Sequence, residues 1–376
     1  MTTYMARRVV TPDEVIENGW FQVIDDRFGA VGGRGKGMPA DGQRPVDLGD
    51  VTVVPGFVDM HTHGGGGATY STTDPEEVRR AAAFHAKHGT TTTMASLVTA
   101  SLDTLSDQIA CLSDLVTDGA IGGVHLEGPF LSTARCGAHD PKLLRDPEPA
   151  DVERLLNDDS VRMVTIAPEL PGGLAAIRQI VQAGRVAALG HTDATYEQMV
   201  EGADAGATVA THLFNGMRPF HHRDPGPAGA AINDDRLLLE VINDGFHLNP
   251  QTVRMAMRAA GTERVALITD AMVATGLSDG RYKIGELDVD VVNGEARLTT
   301  PERSIAGSTL TMDIAFANAV NAGVSLLDAS RMASTTPANA FGWYVGTIEQ
   351  LCFADAVVLG PDLDVQKVMK RGEWLP

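Results

Sequence analysis

Short apolar runs, rich in β-branched and aliphatic residues and bounded by Gly, Pro, Asn or Asp, recur through the middle of the chain. Eight stand out: VTVVPGFVDMHTH (51–63), TTTTMASLV (90–98), IGGVHLEG (121–128), VRMVTIAPE (161–169), VAALGHTDA (187–195), ATVATHLFN (207–215), LLLEVINDGFH (237–247) and VALITDAM (265–272). Between many of them the apolar side chains fall at helical spacing, as in PEEVRRAAAFHAKHG, LDTLSDQIACLSDLV, GLAAIRQIVQAG and YEQMVEGADAG. Strand–helix alternation repeated in this way predicts an α/β fold, a (β/α)8 TIM-type barrel. The two ends read differently, as short strands and turns: RRVVT, GWFQVID and RFGAVG at the start, GTIEQ, ADAVVLGPDL and VQKVMKRGEWLP at the finish. Neither end suffices for a domain, so residues 1–54 and 346–376 are expected to pair into one small β-sandwich beside a barrel spanning 55–345. KIGELDVDVVNGEARLT (283–299) reads as a hairpin turning at Asn293-Gly294.

Composition supports that frame. A chain of 376 residues has room for a barrel of about 250 residues and a smaller unit. Its 43% hydrophobic content supplies a large core, and its 40 glycines suit many tight strand-to-helix turns. The formal charge of −19 repels nucleic acid and anionic membrane surfaces, so an anionic ligand would need a local cationic pocket. Three widely spaced cysteines, Cys111, Cys136 and Cys352, form no disulfide framework or cysteine zinc motif. The N-terminal stretch lacks the apolar run of a signal peptide, and no window approaches the roughly 18 apolar residues of a membrane span. The expectation is a cytoplasmic protein.

The chemistry sits at the strand ends. His61 and His63 close the first run and, two apart on a strand, share a face. Alone, such a pair is as readily two hydrogen-bonding histidines as two metal ligands. Glu127, His191, His212, His247 and Asp270 end the third, fifth, sixth, seventh and eighth runs. Buried ionisable groups are costly unless paired or metal-bound, so their convergence at the barrel mouth points to a metal site. Imidazole and carboxylate ligands suit zinc or another divalent transition ion. Glu127 could bridge two ions, with His61, His63 and Asp270 on one and His191 with His212 on the other; a single ion with His61 and His63 merely nearby is the alternative. A water bound to such a centre loses its proton near neutral pH, and Asp270 is placed to take that proton and pass it to a leaving group. His85 and His88 are read as solvated on a polar helix face, His125 as a core residue or a support behind Glu127, and His221 and His222 as loop residues without an assigned role.

These residues lie in PGFVDMHTHG (55–64), HLEGPFL (125–131), GAHD (137–140), GHTDA (190–194), THLFNGM (211–217), INDGFH (242–247), ITDAM (268–272) and AGSTLTMD (306–313). The set, spread over nearly the whole chain, resembles the N-acetylglucosamine-6-phosphate deacetylases of the amidohydrolase superfamily. HLEGP together with THLFNGM marks this family, whereas the HxH pair marks only the superfamily. The resemblance implies release of acetate from N-acetyl-D-glucosamine 6-phosphate by a metal-bound hydroxide. Glu127 would stand where many superfamily members carry a carboxylated lysine. Glu127, His191 and His212 would bind the principal metal, and Asp270 would be the acid/base. His139, beside Ala138 in GAHD, would stabilise the oxyanion. Backbone N–H groups after Asn215, at Gly216, would receive the phosphate with Arg223, which in the family reaches across from a second subunit and so implies a homodimer. His247 would contact the sugar or its phosphate, and Ile305, Ala306, Gly307 and Ser308 would close over the substrate.

An independent argument agrees on one point: a phosphosugar bound by so acidic a chain needs a cation, and Arg223 with His247 is the available cluster. An ordinary surface or interface ion pair is the other reading of Arg223. Some family members lack the first-strand histidines and use one metal, so His61 and His63 place this chain with the two-metal type. The lid stretch STARCGAH carries Cys136 where a basic or polar residue is expected. Arg135 would replace that charge, and Cys136 is either responsive to oxidation or a spectator. The rivals are deacetylation of N-acetylgalactosamine 6-phosphate, hydrolysis of a cyclic amide, and a scaffold without catalysis.

Overall fold

The structure, a computed structural model, describes residues 1–33 and 44–376. These form two compact units: Met1–Asp59 with Phe84–Thr92 and Thr311–Pro376, and Met60–Ala83 with Thr93–Leu310.

The first unit joins the chain's two ends in one mixed sheet. Its order is Glu373–Trp374, Val365–Lys370, Ala356–Leu359, Thr52–Pro55, Thr2–Val10, Val15–Ile24 and Arg27–Gly33, with Val46–Asp47 also paired to Thr2–Val10. Thr52–Pro55 is the seam. It runs parallel to the N-terminal strand and antiparallel to Ala356–Leu359. Tyr4, Phe21, Phe28, Val53, Ile348 and Met369 share the core under this sheet, so residues from both ends are needed to bury it.

The barrel strands follow the order of the chain: Phe57–Thr62, Thr90–Val98, Gly123–Glu127, Val161–Ile166, Val186–Leu189, Val209–Ala210, Leu238–Ile242 and Val265–Ile268. The first and eighth meet where Asp270 N–H donates to the His61 carbonyl at 2.9 Å and His63 N–H to the Ala271 carbonyl at 2.8 Å. The strands are buried on both faces, as expected for a parallel sheet with a filled interior and covering helices. The sixth is only two residues long although its apolar run is longer, because His212 and Phe214 take φ of 27° and 75° and break the extended chain. After the fifth strand the helix Tyr196–Asp204 starts promptly. Thr195 and Gln198 form a reciprocal capping box, which keeps the loop carrying His191 short.

Two readings change. The 283–299 hairpin is part of a three-stranded antiparallel sheet, Gly280–Ile284, Leu287–Val292 and Glu295–Leu298; Asn293 and Gly294 both take positive φ at its second turn. His85 is not on a solvated face: it is 0% exposed and shares a helical stripe with Val78 and Ala81. The small alanines beside it kept that stripe from standing out in the sequence. His88, just past the helix, is partly exposed and pairs with Asp313 at 3.0 Å. Among the described residues no helix is long and apolar enough to cross a membrane.

Arg264 locks the approach to the seventh strand. Its guanidinium donates to the carbonyls of Ala231, Ile232, Asp234 and Leu237 at 2.7–3.4 Å. Arg264→Ala orphans these acceptors, so a stability loss of about 3 kcal/mol is expected in urea unfolding, with kcat intact. A loss under about 1 kcal/mol would show that they are satisfied without the arginine.

Candidate metal centre

Six of the seven strand-end residues, His61, His63, Glu127, His191, His212 and Asp270, converge, and His247 stands apart in the cavity wall. Glu127 ends the third barrel strand, 3% exposed. Its Oε1 lies 3.1 Å from His191 Nε2, 2.9 Å from His212 Nε2 and 3.4 Å from His61 Nε2. Its Oε2 lies 3.1 Å from His63 Nε2 and 3.4 Å from His139 Nε2. Asp270 Oδ1 is 3.2 Å from His63 Nε2 and 3.6 Å from His61 Nε2.

Backbone conformation aims these groups. His191, His212 and Asp270 each have positive φ, at 46°, 27° and 51°. This region is unfavourable for side chains with a Cβ, and such strain gathers at functional sites held by their surroundings. Around Asp270 the surroundings are visible: Ser308 N–H donates to the Asp270 carbonyl at 2.7 Å and Ser308 Oγ to the Thr269 carbonyl at 2.6 Å.

The second ring nitrogens settle the tautomers. His63 Nδ1 meets the Ser96 carbonyl at 3.0 Å, His191 Nδ1 the Arg135 carbonyl at 2.8 Å, and His212 Nδ1 the Asn215 carbonyl at 3.1 Å. His61 Nδ1 meets the Glu240 carboxylate at 2.9 Å. All four partners accept, so each Nδ1 carries the proton and donates. Each Nε2 then turns a lone pair toward the centre when the ring is neutral. His191 and His212 bring two such lone pairs within 3.1 Å, and His61 and His63 within 3.3 Å, an arrangement that repels itself unless a cation joins it. Ligands around a tetrahedral ion at about 2 Å stand about 3.3 Å apart, close to these spacings. The donor set therefore fits a divalent metal.

His139 is built the other way. The Thr99 N–H donates to its Nδ1 at 3.3 Å, so a neutral ring carries its proton on Nε2, facing the centre. Burial pushes its pKa down to about 4, which keeps the ring neutral. Although His139 lies close enough to Glu127 and His191 to be counted with them as a ligand group, it points a hydrogen rather than a lone pair at the site. Burial opposes charge on the acids as well, yet the neighbouring imidazoles overcome it. Glu127 is held well below the usual carboxylate range chiefly by His61 and His139, and Asp270 is held low by His63 and His61. Both are therefore ionised.

The site opens into a cavity of about 530 Å³, large enough for a small polar ligand. Ala138, His139, Asn215, Gly216, His247, Ile305 and Gly307 line it, together with Arg135 and Cys136. His247 is fixed by Asp244, which accepts from its Nδ1 at 2.7 Å. Ala306 and Ser308 lie behind the wall: Ala306 packs in an apolar cluster, and Ser308 braces Asp270. Arg223 is exposed, outside the cavity lining, with His222 Nε2 2.9 Å from its guanidinium. His125 sits beneath the centre, bonded to Ser96 Oγ at 2.9 Å and Thr165 Oγ1 at 2.8 Å, with its ring edge-on to His61. Sequence reasoning missed Glu240, Glu302 and Ser304. Glu240 left one signal, a lone carboxylate inside the apolar stretch LLLEVI. Glu302 and Ser304 line the cavity from a loop that carried no pattern.

The amidohydrolase family matches residues 52–375. The chain is 34% identical to the N-acetylgalactosamine-6-phosphate deacetylase of Escherichia coli O157:H7, covering 98% of this chain and 97% of that one. It is 36% identical to the N-acetylglucosamine-6-phosphate deacetylase of Vibrio furnissii, covering 88% and 86%. Among solved structures it is similar, with a TM-score of 0.95 and 49% identity, to a variant of the N-acetyl-D-glucosamine-6-phosphate deacetylase of Mycobacterium smegmatis in complex with N-acetyl-D-glucosamine 6-phosphate; 99% of this chain and 98% of that one are covered.

Gly216 is a sensitive position. It takes φ of 58°, and a Cβ there would stand 2.9 Å from His191 Nδ1. That ring is already pinned by the Arg135 carbonyl. Gly216→Ala is expected to lower metal affinity about tenfold or more, read by metal content after dialysis. Parent-like metal retention would show that the ring has room to move.

Proposed function

The chain belongs to the amidohydrolase family and is a hydrolase of carbon–nitrogen amide bonds, and from that premise we propose that it removes acetate from N-acetyl-D-glucosamine 6-phosphate to leave D-glucosamine 6-phosphate. The observation that carries the reading is the opposition of tautomers: four imidazoles aim lone pairs at the buried Glu127, and His139 aims an N–H into the same cavity.

Glu127, His191 and His212 would hold the principal ion, and His61, His63 and Asp270 would hold a second. Zinc is the ion that suits these donors best. When bound, a divalent cation acidifies the attacking water and polarises the acetamide carbonyl. His139 donates its Nε2–H to the acetamide oxygen as charge gathers there. Asp270, ionised in the resting site, takes a proton as the water oxygen bonds to the carbonyl carbon. It returns that proton to the sugar nitrogen as the C–N bond breaks, so the product leaves as a neutral amine. The phosphate is received by backbone N–H groups after Asn215, at Gly216, by His247, and by Arg223 of a second copy in a homodimer. The exposure of Arg223, away from its own cavity, suits that last role. Ile305 and Gly307 form the wall over the sugar, and a cytoplasmic location suits a phosphorylated substrate. Deacetylation of the C4 epimer is a second reading, favoured by the Escherichia coli relative's name at 34% identity over nearly the whole chain.

Acetate release measured on protein of known metal content, across the two phosphosugar epimers, unphosphorylated N-acetylglucosamine, dihydroorotate and allantoin, tests the reading. The glucosamine epimer should turn over fastest. A preference for the galactosamine epimer would support the second reading, and equal turnover of the unphosphorylated sugar would remove the phosphate site. Asp270→Asn should lower kcat about a thousandfold with KM little changed; near-parental kcat would end its role as proton carrier. Arg223→Ala should raise KM for the phosphosugar about tenfold or more at similar kcat. An unchanged KM would return Arg223 to the protein surface.

A further inference from the structure

Glu240 sits at the middle of the seventh barrel strand, among Leu238, Leu239, Val241 and Ile242, and is 0% exposed. A carboxylate there is out of contact with water, and its Oε1 has no hydrogen-bond partner among the described residues. Its Oε2 accepts twice, from His61 Nδ1–H at 2.9 Å and from the His212 backbone N–H at 3.1 Å. Those two donors come from the two different ligand groups around Glu127. His61 stands with His63 and Asp270, and His212 stands with His191.

We propose that Glu240 is a positioning residue that makes the His61 group competent for a second ion and ties its geometry to that of the first. The proposal rests on the metal-centre reading above. A carboxylate that accepts from Nδ1–H fixes the ring so that Nε2 carries the lone pair, and its negative charge makes that nitrogen a stronger ligand. The other three rings lean on neutral carbonyls, of Ser96, Arg135 and Asn215; among these four rings, His61 alone has a carboxylate behind it. A second effect is mechanical. His212 has the tightest positive φ of the three strained site residues, 27°, and its N–H is anchored to the same oxygen. Movement of the His61 ring therefore pulls on the turn that aims His212. The buried, half-satisfied carboxylate is costly to the fold, a cost that its place behind one ligand of each group explains.

The test is metal binding, independent of turnover. Metal-stripped parent, E240Q, E240A and V241A are titrated with cobalt(II) and followed by visible absorption, with stoichiometry checked by elemental analysis. The parent should take up two ions in separable phases. E240Q preserves the shape and an acceptor oxygen but removes the charge; it should weaken one phase about tenfold and spare the other. E240A should lose the weaker phase altogether. V241A, an apolar truncation on the same strand, should lower Tm yet keep the parental titration. Parental two-phase binding in both E240Q and E240A would overturn the proposal, as would an equal loss in V241A, because packing would then explain the effect. If the parent takes up one ion and H61A leaves that uptake unchanged, the two-group reading of the metal centre itself fails, and the role of Glu240 falls with it. E240Q is the decisive variant should E240A not fold.

Discussion

Glu127 gathers histidines from the ends of the first, fifth and sixth barrel strands and from one loop at a single point. Its two oxygens lie within 3.4 Å of the Nε2 atoms of His61, His63, His139, His191 and His212. A lone carboxylate at that depth would be strongly disfavoured. Burial pushes the Glu127 pKa up and neighbouring imidazoles, His61 and His139 foremost, bring it down, while the lone pairs that the neutral rings of His61, His63, His191 and His212 turn toward it call for a cation.

The constraint extends outward through the backs of the rings. Carbonyls of Ser96, Arg135 and Asn215 hold three of the rings by their Nδ1–H groups, and each carbonyl belongs to a different segment. The Arg135 carbonyl comes from the loop that also supplies Cys136 and His139 to the cavity wall, so the ring of His191 and the wall are parts of one hydrogen-bonded arrangement. Arg135 is itself held by Asp193, which also accepts from Arg218. Gly137 and Gly216 flank His191 so closely that a Cβ at either would stand 3.0 Å or 2.9 Å from its ring. Glycine is required here because the backbone passes a ring that has no freedom to move aside.

The same geometry separates binding from chemistry. A ring that donates behind itself offers a lone pair in front, and a ring that accepts behind itself offers a hydrogen. His139 differs from the other four rings in that its Nδ1 meets an N–H instead of a carbonyl or carboxylate oxygen. That partner leaves the His139 ring with a hydrogen, instead of a lone pair, on the side that faces Glu127.

The strand–helix alternation and the polar residues ending apolar runs were legible from local pattern, because parallel barrel strands are continuous apolar segments and their C-terminal ends are where polar groups can gather. That the chain's two ends would pair followed from their pattern, each being too short to cover a core, but the expectation was a small β-sandwich, whereas their strands lie in one mixed sheet. Periodicity was blind to His85, whose stripe is made partly of alanine, and to the brevity of the sixth strand, where His212 leaves the extended conformation. It was blind above all to the backs of the rings. Which nitrogen of a histidine carries the proton depends on a partner tens or hundreds of residues away: Glu240 for His61, Ser96 for His63, Thr99 for His139. The residue types and their place at the strand ends belong to the sequence. The direction in which each lone pair points belongs to the tertiary structure, because a hydrogen bond is decided by what lies on its far side.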